Sequence, residues 1–292
     1  MRAKTFLLTA LALASFAANS ILCRLALADG EIDPAGFTLI RLVSGAVLLA
    51  LLLRGSRSRR DEPPGGNGNQ GKAGRAWLSG GLLFAYAGPF SFAYVGLSAG
   101  AGALILFGSV QATMLWVSII RGDAPSPLQW LGLALALAGL ANLVSPGLAA
   151  PPLISAFLMA VAGIAWGIYS LRGQGEKNPI RSTAENFLFS VPFALTTALL
   201  LIAGLHASPN GALLAIASGA LTSGLGYVLW YAALPKLGTT RAAIVQLVVP
   251  VIAAAGGVVL LGETFTGRLA LSSIVILSGV GIALYGRHRS SV

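Results

Sequence analysis

A chain of 292 residues that is 56% hydrophobic and only 10% charged, with a mean hydropathy of +0.82, is excluded from the water-soluble domains and reads as an integral membrane protein. At roughly 20 apolar residues per spanning helix, it has room for about ten spans and no soluble domain of useful size. The formal net charge of +10 is not a nucleic-acid signature, because the charges fall between the apolar stretches instead of forming a basic face.

The first expected span covers residues 6–27. Its basic start and small residues resemble a signal peptide cut near Ala14 or Ala18, but the apolar stretch continues to spanning length, and its removal would leave an odd number of helices. Asn19 lies inside it and Arg24 at its end; Cys23 is the single cysteine, so no internal disulfide is available. The second span, 35–53, carries Arg41, whose charge deep in a helix costs about 3 kcal/mol or more. Two readings answer that cost: the guanidinium holds a solute carboxylate or phosphate bidentately, or it snorkels and pairs with Asp29, Glu31 or Asp33.

Residues 54–75, rich in Gly, Pro and polar side chains, are expected to be a flexible cytoplasmic linker that sets topology or touches anionic lipid headgroups. The third span, 77–97, contains Gly88-Pro89 followed by Phe90 and Tyr94. The fourth, 103–120, brings Gln111 and Trp116, and the fifth covers 128–145. The sixth, 153–171, adds an aromatic wall in Trp166 and Tyr169. The seventh, 183–205, has Asn186 near its start, beside Glu185, the nearest carboxylate to any span interior. The eighth, 213–234, holds Gly224-Leu-Gly226 and then Tyr227, Trp230 and Tyr231. The ninth, 242–261, includes Gln246, and the tenth covers 269–285. Buried amides such as Asn19, Gln111, Asn186 and Gln246 are expected to face the bundle interior, touching solute or bridging helices. With two histidines, His206 and His288, and one cysteine, no His/Cys metal cluster and no cofactor are expected.

The chain repeats itself. Residues 103–139 overlay 243–279 at a shift of 140 positions, matching Gly122-Asp123 to Gly262-Glu263. A shift of 137 brings Phe90, Ala93 and Tyr94 onto Tyr227, Trp230 and Tyr231, and one of 148 brings Arg24 onto Arg172. Five spans per half force the second half to enter from the opposite face, so the expected architecture is all-α, with ten transmembrane helices as two inverted repeats, 1–146 and 147–292. Of nineteen Lys and Arg residues, only Arg24, Arg41 and Arg268 fall toward one face; the sixteen others place both termini in the cytoplasm by the positive-inside rule. The expected hinges are Gly88, Pro89, Gly224 and Gly226, where both helices would bend at one depth beside their aromatic pairs. Those aromatics line a midplane solute site or form lipid-facing belts.

The stretches RLVSGAVLL at 41–49, AWG at 165–167, LGE at 261–263 and LQWLGLALALAG at 128–139 resemble the EamA type of the drug/metabolite transporter superfamily over essentially the whole chain. That resemblance implies a cavity lined by the first, third, fourth, sixth, eighth and ninth helices, and export of small metabolites such as amino acids from a bacterial inner membrane. Ala17-Ala18-Asn19 departs from the Trp-Gly pair common in the family's first helix, and Gly122-Asp123 from its Gly-Glu. The expected activity is secondary transport by alternating access rather than catalysis. A membrane enzyme of lipid metabolism and a non-transporting scaffold are the alternatives. The expected partners are a small-molecule solute, the bilayer and, as one option, a second copy in a homodimer.

Overall fold

Four helices begin on the same local signal, a polar cap followed by proline, which satisfies a free amide at a helix start and places the ring where no N–H is needed. Asp33 Oδ1 accepts from Ala35 N at 3.0 Å and Gly36 N at 2.8 Å ahead of α2 (Pro34–Gly55). Ser126 and Gln129 form a capping box on α5 (Pro127–Val144). Asn178 caps α7 (Pro179–Leu200), and Ser208 caps α8 (Pro209–Ala217). The remaining helices are α1 (Ala3–Ala28), α3 (Asn69–Tyr94), α4 (Ala99–Ile120), α6 (Leu153–Gly173), α9 (Gly226–Gln246), α10 (Val248–Leu261) and α11 (Gly267–Ser290). The computed structural model describes residues 3–55, 69–120, 126–145, 150–173, 176, 178–246 and 248–290.

Between α8 and α9 the backbone continues as a π-helix, Ser218–Leu225, so the described residues form ten helical rods. Six described segments are long and apolar enough to cross a membrane, including Pro209–Leu237; Pro127–Leu143, Val248–Leu261 and Gly267–Ala283 are apolar but shorter. Leu200, Val259 and Ile154 are among the most exposed side chains, an arrangement suited to lipid rather than water. The chain is an all-α membrane protein.

Two sequence boundaries are corrected. Helical backbone begins at Asn69, inside the expected linker, of which 56–68 lies outside the described residues. The connection expected between residues 234 and 242 is helical as well, within a helix that runs to Gln246. Gln246 lies in α9 and Pro250 in α10.

Helices from the two halves interleave. α3 packs on α6 and α7, α2 on α7 and the π-helix, α4 on α6 and α10, α1 on α9 and α10, and α5 along α11. Glycines allow the closest approaches: a Cβ on Gly132 would meet the Gly279 carbonyl, and one on Gly219 would meet the Arg41 carbonyl. Those two contacts seat α5 on α11 and the π-helix on α2.

Candidate functional site

The π-helix positions the polar centre. Its wider turns set Ser218, Thr222 and Ser223 on one side, and all three hydroxyls donate to Asn19 Oδ1, at 2.7, 3.2 and 3.4 Å. Such π segments cost hydrogen-bond geometry and recur at functional sites. Asn19 Nδ2 donates to the Tyr86 hydroxyl at 3.3 Å.

Arg41 occupies the middle of this network. Its Nε donates to Ser223 Oγ at 3.0 Å, and its Nη2 donates to the hydroxyls of Tyr86 at 3.2 Å and Tyr227 at 2.9 Å. The guanidinium carbon lies 5.2 Å from the Tyr86 ring centroid and 5.0 Å from that of Phe90. At 1% exposure Arg41 does not snorkel, which corrects one of the two sequence readings. It stands seven residues into α2, about 10 Å along the axis, while Asp33 is occupied by helix-start amides and by His206 N at 3.0 Å. Glu31 accepts from Ser208. Nη1 of Arg41 has no hydrogen-bond partner, so a fork-to-fork carboxylate pair would need a tyrosine to let go.

Aromatic walls close around the centre. Phe16 meets Trp166 and Trp230 edge-on at 5.6 Å each and Tyr227 at 5.9 Å. Trp166 also packs against Tyr86 at 4.9 Å and Tyr227 at 4.7 Å. The indole Nε1 atoms of Trp166 and Trp230 are buried without partners. Buried donors are nearly always paired in folded proteins, so three N–H-bearing atoms left open around one aromatic cluster mark a place for an acceptor.

A second aromatic group lies beyond Trp166. Tyr169 stacks on Tyr231 at 5.7 Å, receives Asn186 Nδ2 at 3.0 Å on its hydroxyl, and accepts from the Tyr231 hydroxyl at 3.4 Å through its carbonyl. On the other side Tyr94 meets Phe90 edge-on at 4.7 Å. Asn19, Arg41, Phe90, Tyr94, Trp166, Tyr169, Asn186, Tyr227, Trp230 and Tyr231 therefore form one connected network. Gln111 instead lines a cavity of about 40 Å³ with α5 and α11 residues, and Gln246 Nε2 bonds its own helix at Ala242 O. Trp116, expected as a wall, is 60% exposed.

At the expected hinges, helical backbone runs unbroken through Gly88 and Pro89, with Ser91 Oγ bonded back to Ala87 O at 2.9 Å. Gly224 lies inside the π-helix, and Gly226 begins α9 against Ser15. The irregularity of the eighth rod is thus a π segment, without a proline.

Sequence reasoning missed Tyr86, Phe16 and the three π-helix hydroxyls. Tyr86 was legible, since Tyr86, Phe90 and Tyr94 repeat every fourth position along one helix face. It also missed the closure at the Arg24 end. There Arg24 Nε pairs with Glu263 Oε1 at 3.3 Å, and Arg24 Nη1 donates to the carbonyls of Tyr94 at 2.9 Å and Val95 at 3.1 Å. Both Glu263 oxygens accept from Ala99 N, at 3.0 and 2.9 Å. Gly262, with φ of 63°, makes the left-handed turn that brings Glu263 back over its helix, where Glu263 N donates to Gly257 O at 3.0 Å. A cavity of about 400 Å³ opens beside this latch, lined by Arg24, Ser98, Glu263, Thr264 and Thr266. No metal-binding group of three or more His, Cys, Asp or Glu side chains occurs among the described residues.

Comparisons with known proteins agree with this architecture. The family model described as the EamA-like transporter family matches residues 3–145 and again 153–285. An uncharacterised protein of Pseudomonas aeruginosa is 45% identical over 284 residues, spanning 97% of this chain and 96% of its own. An uncharacterised transporter of Archaeoglobus fulgidus is 25% identical, over 99% and 100% of the two chains. A probable amino-acid metabolite efflux pump of Salmonella typhimurium is 27% identical over 68% of this chain and 73% of its own. A protein crystal structure at 20% identity shares the fold, with a TM-score of 0.63 over 98% of this chain and all of that one.

Proposed function

The chain belongs to the EamA-like transporter family, and from that premise we propose that it is a secondary carrier exporting small organic, amino-acid-related metabolites by alternating access. One observation carries the proposal: a buried arginine, with an open donor atom, sits inside an aromatic enclosure drawn from both halves of the chain, by α1, α2 and α3 on one side and α6 and α9 on the other. A solute held there touches both moving parts, which is what coupling its release to their rearrangement requires.

The inverted repeat of 1–146 and 147–292 is part of the same proposal. Two matched family segments support it, as does the helix pairing. Exchanging halves turns α3 on α6 into α1 on α9, α4 on α6 into α1 on α10, and α3 on α7 into α2 on the π-helix, all of which occur. With both termini in the cytoplasm of a bacterial plasma membrane, the Arg24 end faces outward. The Arg24–Glu263 latch then closes the exit, and it is linked to the centre through Tyr94, whose carbonyl accepts from Arg24, and Phe90, which meets Tyr94 and lies against Arg41. The export direction and the metabolite class follow those of the Salmonella relative, a probable amino-acid metabolite efflux pump.

A lipid-chemistry enzyme is the weaker reading. Among the described carboxylates, Glu31, Asp33, Glu185 and Glu263 have partners at helix ends, and none reaches the centre to serve as acid or base. The test is a flux panel of labelled metabolites in proteoliposomes, with and without an imposed pH gradient. At least one solute should move, and Tyr94→Ala and Tyr231→Ala should each slow it by about tenfold or more while the protein stays folded. Unchanged kinetics in both variants would remove those tyrosines from the site; absence of any flux favours the scaffold.

A further inference from the structure

Arg41 is a buried cation with no counter-ion among the described residues. Its partners are hydroxyls and rings: Ser223, Tyr86, Tyr227 and Phe90. The described carboxylates are committed or exposed elsewhere, Asp33 to amides at the start of α2, Glu31 to Ser208, Glu185 to Arg181 and Glu263 to Arg24 and Ala99, with Asp29 and Glu176 on the surface. An ion without its opposite charge in a membrane interior is strongly disfavoured unless something charged completes it.

The centre is also one-sided in its hydrogen bonding. Arg41 Nη1 and the Nε1 atoms of Trp166 and Trp230 are donors without acceptors. The strongest neutral acceptor, Asn19 Oδ1, already receives three hydroxyls, and the Tyr86 hydroxyl receives both Asn19 and Arg41. An ammonium group brought here would meet occupied oxygens and a like charge at short range, while a carboxylate would meet open donors and an opposite charge. The rest of the enclosure is aromatic: Phe16, Tyr86, Phe90, Trp166, Tyr227 and Trp230.

We propose that the site selects a monoanion, a solute with one carboxylate, no ammonium group and an aromatic or apolar body, whose carboxylate becomes the counter-ion of Arg41 on Nη1. The proposal rests on reading the centre as the solute site and narrows the cargo within it. Zwitterions and organic cations are rejected by charge rather than by size.

The test uses the full chain in detergent, quenching of tryptophan fluorescence, and four probes that share a phenyl ring on a short chain: 3-phenylpropionate, 3-phenylpropionamide, 2-phenylethylammonium and phenylalanine. The carboxylate is expected to bind about tenfold or more tighter than the other three. Arg41→Gln should lower its affinity by about tenfold or more and leave the amide unchanged, a loss of the preference for the carboxylate that a purely structural role would not produce. If that variant does not fold, Trp166→Phe keeps an aromatic ring, removes one open donor, and should weaken the carboxylate alone by several-fold. Equal affinity for phenylalanine or the ammonium probe, or equal losses for all four probes in the variants, overturns the proposal. If a panel metabolite is transported and 3-phenylpropionate neither binds nor competes with it, the charge selection fails and the carrier stands. If nothing binds and nothing moves, the carrier reading fails with it.

Discussion

Glu263→Gln is expected to open the Arg24 end of the bundle and expose Cys23, the single cysteine, to a membrane-impermeant maleimide added from outside. Cys23 is fully buried and immediately precedes Arg24 in α1. Its protection depends on the turn around Glu263, which holds α1, the α3–α4 connection and the α10–α11 connection together through Arg24 and Ala99 N. Replacing the carboxylate by an amide removes the ion pair and one of the two acceptor oxygens, leaving Arg24 on two backbone carbonyls. The pair is only partly shielded, with side-chain exposures of 23% and 14%, so its loss is worth about 1–2 kcal/mol rather than the 3–5 typical of a dry pair. That corresponds to a labelling rate roughly five- to thirtyfold above the native one if the open state is rare. Arg24→Gln should behave in the same way. Glu185→Gln, which breaks the exposed Arg181–Glu185 pair on α7, should leave the rate unchanged. Equal labelling in all of these proteins would mean that the latch closes nothing.

The second large effect is expected at Asn19. Leucine there fits the volume but strands Ser218, Ser223 and the amide-facing side of Tyr86; Thr222 retains its bond to Ser218 O at 2.9 Å. Ser218, left without a partner, costs about 1–3 kcal/mol, and Ser223 and Tyr86, which keep Arg41 as donor, lose about 1 kcal/mol each, so Asn19→Leu should lose roughly 3–5 kcal/mol of stability and all transport. Asn19→Asp separates folding from function. Its carboxylate still accepts the three hydroxyls and supplies a negative charge within the Arg41 network, so the thermal midpoint should stay near that of the native protein. Carboxylate-bearing solutes should bind about tenfold or more weakly, because their place as counter-ion has been taken. A native affinity in Asn19→Asp would contradict the electrostatic role of the centre.

These effects centre on residues that differed in how readable they were. The aromatic pairs on the third and eighth rods stand out in the chain because they repeat at helical spacing, and helix periodicity is local. Arg41 was conspicuous through its cost, but its destination was not, because a side chain of that length reaches either a helix-end carboxylate or the bundle interior. The choice was made by Gly219, whose missing side chain lets the π-helix approach the Arg41 backbone and present Ser223. The π-helix carries no local sequence signal comparable to a proline; its hydroxyls look like an ordinary small-residue stretch until Asn19, some two hundred positions away, is placed against them. Glu263 was visible as half of a repeated Gly-acidic mark, while its partner Arg24 required the three-dimensional contact between the first and ninth rods. The helical backbone over 235–246 was missed because Pro235, Gly238, Thr239 and Thr240 are weak helix formers, and tertiary packing overrode their local preference.

Counterflow tests the carrier mechanism most directly. Proteoliposomes loaded with an excess of unlabelled solute and diluted into a trace of the same labelled solute should accumulate label transiently above its external concentration, because a site that alternates between faces returns inward occupied by label while the unlabelled pool leaves. An overshoot that disappears in Asn19→Asp is the predicted result. Monotonic equilibration without overshoot, or an overshoot undiminished in that variant, would contradict an alternating site built on Arg41 and Asn19.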